Sequence, residues 1–171
     1  MTPDQAKTIM DFLAGCIERE SAATKRVLEA VPSGQDDFKP HEKCMPAMKL
    51  AWHIAASENM FLAGIPAGTF GNGDDNPGLP ALSSGAEIAT WYAGQTEKNV
   101  AALRAMTPEE CTVVINFHDV FKMPAYAWAQ LALTHAIHHR GQLSSYIRPM
   151  GGRVPSIYGP SGDDEVVGAS A

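Results

Sequence analysis

Between Gly64 and Ser84 the chain reads "GIPAGTFGNGDDNPGLPALSS", about twenty residues dense in Gly, Pro, Asn and Asp. These residue types break helices and supply turns, so the stretch is a loop rather than an element. It is too long for a tight connection between neighbours. It is long enough to run the length of a helical bundle and let the next helix start from the far end. The same composition could mark a domain linker, but neither half of the chain would bury enough alone. One domain over residues 1–171, with one long crossover, follows.

Four segments with helical period flank this connection and the later turns. The first is expected from Pro3 to Val31. Thr2 and Gln5 form a capping box there, and Pro3 suits the first helical position. Ile9, Leu13, Cys16, Val27 and Val31 recur at three- and four-residue steps. The second runs from Pro46 to Ala63 and is apolar nearly all round, with Gly64 and Pro66 closing it. The third opens at a Ser84/Glu87 capping box and stops at Thr107-Pro108. The stretch "CTVVINFHDVFKMP" is β-branched around His118-Asp119 and suits a short β-hairpin. The fourth helix runs from Pro124 to Arg148, and an irregular tail follows from about residue 150. The expected fold is all-α: a four-helix bundle with the crossover between helices 2 and 3 and a hairpin before helix 4.

At 45% hydrophobic residues the chain can bury a full core. No run reaches the roughly 18 apolar residues of a membrane span, so no membrane partner is expected. The start, "MTPDQAKTIMDF", lacks a basic segment followed by an apolar one, which predicts a cytoplasmic protein. The formal charge is −6, with 13 Lys and Arg scattered among 19 Asp and Glu. That disfavours a phosphate-backbone surface, and no nucleic-acid partner is expected. Three cysteines, Cys16, Cys44 and Cys111, are odd in number and lack C-x-x-C spacing. They do not make a disulfide framework. Cys16 reads as core, and Cys44 as a small residue near a helix start.

Half of the six histidines lie within "LTHAIHHRGQL", residues 133–143. His135 and His139 are four apart, so both fall on one helix face, about 5–6 Å apart at Cβ, and can converge on one ion. His138 is rotated by about 100° and cannot easily share it. His53 lies mid-helix in an apolar segment, where a buried imidazole needs a partner. An ion shared with the pair would satisfy it, and so would an ordinary hydrogen bond in the core. His41 and His118 fall in loops and read as solvated. Three neutral imidazoles suit Zn²⁺ or Ni²⁺, with Fe²⁺ also accommodated, and leave a coordination position open. The H-E-x-x-H protease motif is absent, as are the paired Glu-x-x-His motifs of di-iron bundles.

"HAIHHRGQL" in the last helix, "LAWHIAASE" in the second and the closing "GGRVPSIYGPSGDD" together resemble the DinB family of bacterial four-helix proteins, from about Phe12 to Asp164. The resemblance implies a bundle with this crossover and a three-histidine divalent-metal site. Carried over by position, the ligands are His53, His135 and His139. Better-understood members are thiol-dependent enzymes that join a low-molecular-weight thiol, such as bacillithiol or mycothiol, to an electrophile, or use one in isomerisation. The implied partners are a small thiol and a small electrophile, and a homodimer is implied as well. The family name, taken from DNA-damage induction, does not imply DNA binding.

Around the candidate site, Gln142 stands one turn from His139 as a candidate to hold a bound water, or as a polar core residue. Glu58 is expected in a helix salt bridge. Arg140 and Arg148 are expected in solvent, with docking of a carboxylate-bearing thiol as the other role. Trp52, Trp91, Tyr126 and Trp128 are expected to pack the core. A metal-stabilised binding or stress-response module without turnover, and a metal-dependent hydrolase, fit the same residues.

Overall fold

The computed structural model describes residues 1–71 and 82–164. Its elements are α1 (Pro3–Glu29), α2 (Ala47–Ala67), α3 (Gly85–Ala105), a single 3-10 turn (Glu110–Thr112), β1 (Val114–Phe117), β2 (Phe121–Pro124) and α4 (Ala125–Ile147). The order matches the expectation of four helices and a hairpin before the last.

The helix ends follow local chemistry. At α1, Thr2 Oγ1 accepts from the Gln5 N–H at 3.3 Å, and Gln5 Oε1 accepts from the Thr2 N–H at 3.0 Å, completing the capping box. The helix stops at Glu29, two residues short of the expected end, because Pro32 disfavours helical backbone at Val31. At α2 the expected stop at Gly64 is overridden and the helix continues to Ala67. Gly68 (φ 69°) is the residue that closes it. Thr69 N–H donates to Gly64 C=O and Gly68 N–H to Ile65 C=O, both at 3.2 Å, the six-to-one and five-to-two pattern of a Schellman motif. Pro66 is tolerated because it lies in the last turn. At α3, Ser84 Oγ accepts from the Glu87 N–H at 3.2 Å, but Glu87 accepts from the N–H and hydroxyl of Ser83, not from Ser84. The expected capping box is therefore half formed.

In the hairpin, His118 and Asp119 both take positive φ (47° and 57°), as a turn matching the strand twist requires. Phe117 pairs with Phe121 and Ile115 with Met123. The hairpin closes one end of the bundle, where Trp128 Nε1 donates to Ile115 C=O at 3.1 Å.

Helix α1 packs on α3 and α4, and α2 packs on the same two, so α1/α2 and α3/α4 lie on the diagonals. The end of α2 and the start of α3 belong to opposite ends of the core. The expected crossover between them falls largely on residues 72–81, which lie outside the described part. The core itself divides in two. One apolar cluster joins Met10, Ile17, Leu62, Leu103 and Trp128, and the other joins Leu28, Leu50, Ile54, Ile88 and Ile147. Between them, buried polar side chains point inward from all four helices: Thr24, Glu58, Thr96, Asn99 and Arg140. Among the described residues no helix is long and apolar enough to cross a membrane.

Candidate metal centre

Periodicity places His135 and His139 on one face of α4, and packing sets that face against α2. His53 projects from α2 into the same space. The rings of His53 and His135 lie 5.2 Å apart at their centroids, those of His53 and His139 4.7 Å, and those of His135 and His139 4.5 Å. One ligand atom from each can be chosen so that all lie within 4.8 Å of one another. Nitrogens sharing one zinc-like ion at bonds of 2.0–2.1 Å would stand about 3.4 Å apart, so small ring rotations close the set on an ion. All three side chains are half-buried.

Neighbouring groups orient two of the rings. Ser57, one turn after His53, donates its hydroxyl to His53 C=O, and its oxygen lies 3.5 Å from His135 Nδ1. A proton on His135 Nδ1 would find an acceptor there and leave Nε2 with the lone pair. Gln142 Oε1 stands 3.0 Å from His139 Nδ1 and offers the same there. Such partners fix the tautomer and aim of a ligating imidazole. Burial depresses the His139 pKa, and the nearby His53 and His138 add to this against the opposing Gln142 bond. The ring is thus held neutral, the form that binds metals. The Phe61 ring packs edge-on to His135 at 5.7 Å and dries that side. The donor set fits a divalent transition ion.

The other histidines stand apart. His138 is exposed and touches His139 only ring to ring, at 4.8 Å. His41 is exposed, and its Nδ1 accepts from the Lys43 N–H at 3.2 Å. His118 forms the exposed hairpin turn.

Two charged residues depart from expectation. Glu58 makes no helix salt bridge; it is 2% exposed and accepts from the Tyr92 hydroxyl at 2.7 Å. Desolvation pushes its pKa up to about 7, although the Tyr92 bond and the charge of Arg140 pull the other way. Arg140 is not solvated; it is 2% exposed. It faces α1 because it is turned about 100° from His139. Its guanidinium pairs with Glu20 at 2.7 Å, donates to Glu20 C=O at 3.1 Å and to the Tyr158 hydroxyl at 2.6 Å, and lies over the Tyr158 ring. Both residues were legible as buried: Glu58 lies four after Ile54 and four before Leu62, and Arg140 lies four after Ala136 and three before Leu143, so each continues an apolar stripe.

Arg148 is exposed and ties the tail down through Asp163 at 2.9 Å. Trp128 is buried as expected, and Tyr126 packs against the same cluster. Trp52 and Trp91 lean on each other at 5.1 Å but stay half-exposed. Cys111 is buried, whereas Cys16, expected in the core, is half-buried like Cys44.

The fold and the site define a four-helix bundle protein with a three-histidine cluster between α2 and α4. The chain belongs to the DinB family, whose model matches residues 9–165. It is 31% identical over 133 residues to the uncharacterized protein YjoA of Bacillus subtilis (strain 168), covering 75% of this chain and 82% of that protein. It is 26% identical over 156 residues to the uncharacterized protein YrdA of the same organism, covering 91% of each. The crystal structure of the DinB-like protein YjoA superposes with a TM-score of 0.69 at 27% identity, over 86% of this chain and 99% of that one. A DinB-like protein from Bacillus cereus shares the fold, with a TM-score of 0.66 at 24% identity, over 81% and 91% of the two chains.

Proposed function

We propose that this chain holds a divalent transition metal, zinc or nickel before iron, through His53, His135 and His139, and uses it to transfer a low-molecular-weight thiol to small electrophiles. The observation that carries the metal part is the convergence of three imidazoles, two of them with Nδ1 facing an oxygen of Ser57 or Gln142. The thiol part rests on the family likeness and on a half-buried set of three donors that leaves room for a further ligand. A bound ion would supply Lewis acidity and favour the thiolate at neutral pH. The chain's own residues provide the rest. Ser57 and Gln142 aim the imidazoles, burial keeps His139 neutral, and Phe61 excludes water from the His135 side. A homodimer and a cytoplasmic setting belong to the same proposal.

The test begins with elemental analysis of untagged, freshly purified protein beside His139→Ala. About one equivalent of a transition metal, lost in the variant, supports the site. Bacillithiol and mycothiol are then assayed against a panel of electrophiles with the metal-loaded protein. Thiol-dependent turnover supports the transferase. Thiol-independent ester or amide hydrolysis makes it a metal-dependent hydrolase. Inactivity across the panel, with a metal that raises the unfolding temperature, makes it a metal-stabilised binding module. No metal in the purified protein, and none taken up from added zinc or nickel, overturns the reading.

A further inference from the structure

The hydrogen bond that orients His139 does not end at Gln142. Its amide nitrogen donates onward to the Tyr146 hydroxyl, one turn further along α4, at 3.4 Å. Tyr146 is buried at 2% exposure, and its ring is braced edge-on by Phe38 at 6.0 Å. Burial raises the phenol pKa, so the proton stays on Tyr146 at neutral pH. The hydrogen bonds run in one direction: His139 Nδ1–H to the Gln142 carbonyl, and the Gln142 amide to the Tyr146 hydroxyl.

An amide has a carbonyl and an NH₂ end of nearly the same shape, and which end faces His139 decides the histidine's tautomer. Facing NH₂, Nδ1 must accept, and the proton moves to Nε2, the nitrogen Gln142 leaves for an ion. Only an acceptor at the far end of the side chain holds the carbonyl toward His139, and Tyr146 is that acceptor. We infer that Tyr146 is a positioning residue for the three-histidine site, fixing the tautomer of His139 through the Gln142 amide. The consequence for metal affinity rests on the metal reading above; the tautomer assignment does not.

The experiment uses Tyr146→Phe, Gln142→Ala and the double variant, each full length. Phenylalanine keeps the ring packing against Phe38. Imidazole ¹⁵N–¹H correlation spectra of the metal-free proteins report the His139 tautomer, and titration with Co²⁺ reports affinity and the visible ligand-field spectrum. Wild type should show the Nδ1–H form. Tyr146→Phe should populate the Nε2–H form and weaken Co²⁺ about tenfold, the size usual for partners of a ligating histidine. In the Gln142→Ala background the same change should have no further effect on either readout. An unchanged tautomer in Tyr146→Phe, or an effect that persists in full without Gln142, overturns the inference and leaves Tyr146 as packing alone. If wild type takes up no Co²⁺, the metal reading fails, and the tautomer spectra still decide the role of Tyr146.

Discussion

Replacing Glu58 with Gln tests the polar layer at the centre of the bundle. The carboxyl is fully buried, and its pKa is raised from 4.5 to about 7, with desolvation as the largest cause. A carboxyl whose folded pKa lies above its unfolded one favours folding most when both states are protonated. That contribution is intact below pH 4.5 and is lost progressively as pH rises to and through about 7. A difference of about 2.5 units corresponds to roughly 3 kcal/mol between the two limits, at about 1.4 kcal/mol per unit. Glutamine cannot ionise, and its carbonyl can still accept from the Tyr92 hydroxyl. Glu58→Gln should therefore match or slightly trail wild type at pH 4.5 and exceed it by roughly 2–3 kcal/mol at pH 8.5. For a chain of this length that is an increase of about 4–12 °C in Tm. The assay is urea unfolding of both proteins in chelator across this range. Titrations common to both, including those of the histidines, cancel in the difference. A stability difference that does not change with pH would refute the argument, because Glu58 would then not ionise at a cost in the folded state.

Removing the cation from the same layer should be costly. Arg140→Ala leaves the Glu20 carboxylate with only the Tyr158 hydroxyl and that hydroxyl without its donor, and should cost roughly 3 kcal/mol by chemical denaturation. The loss stays at the lower end of the range because the Glu20 side chain is 23% exposed and can be rehydrated. Ser57→Ala should weaken Zn²⁺ about tenfold by competition with a chromogenic chelator, since His135 loses the partner that orients it. Two glycine substitutions in α3 should have opposite signs in thermal unfolding. At Gly94 an added Cβ meets open space, so Gly94→Ala should stabilise by about 0.5–1 kcal/mol. At Gly85 it would lie 2.3 Å from the Leu28 carbonyl oxygen, which is backbone and cannot turn aside, so Gly85→Ala should destabilise by more than 1 kcal/mol.

Periodicity and turn chemistry are local, and what they encode was readable without coordinates. The capping box at Thr2 and Gln5, the His118-Asp119 turn and four helices of the observed order all follow from neighbours within a few residues. So does the pairing of His135 with His139, because a four-residue step is a fixed distance on a helix. Where two local signals competed, packing decided between them. Gly64 and Pro66 both read as the end of α2, yet the helix runs on until Gly68 supplies the left-handed turn and brings Phe70 back onto Phe61 at 5.8 Å. The meeting of His53 with the α4 pair needed the tertiary structure, since nothing in the spacing of residues 53 and 135 says that α2 and α4 are neighbours. Glu58 and Arg140 needed it most. Their type argued for solvent and their position for the interior, and only partners from other parts of the chain, Tyr92 for one and Glu20 and Tyr158 for the other, satisfy their polar atoms there. A sequence states which groups must be satisfied, whereas the fold alone determines which distant group satisfies them.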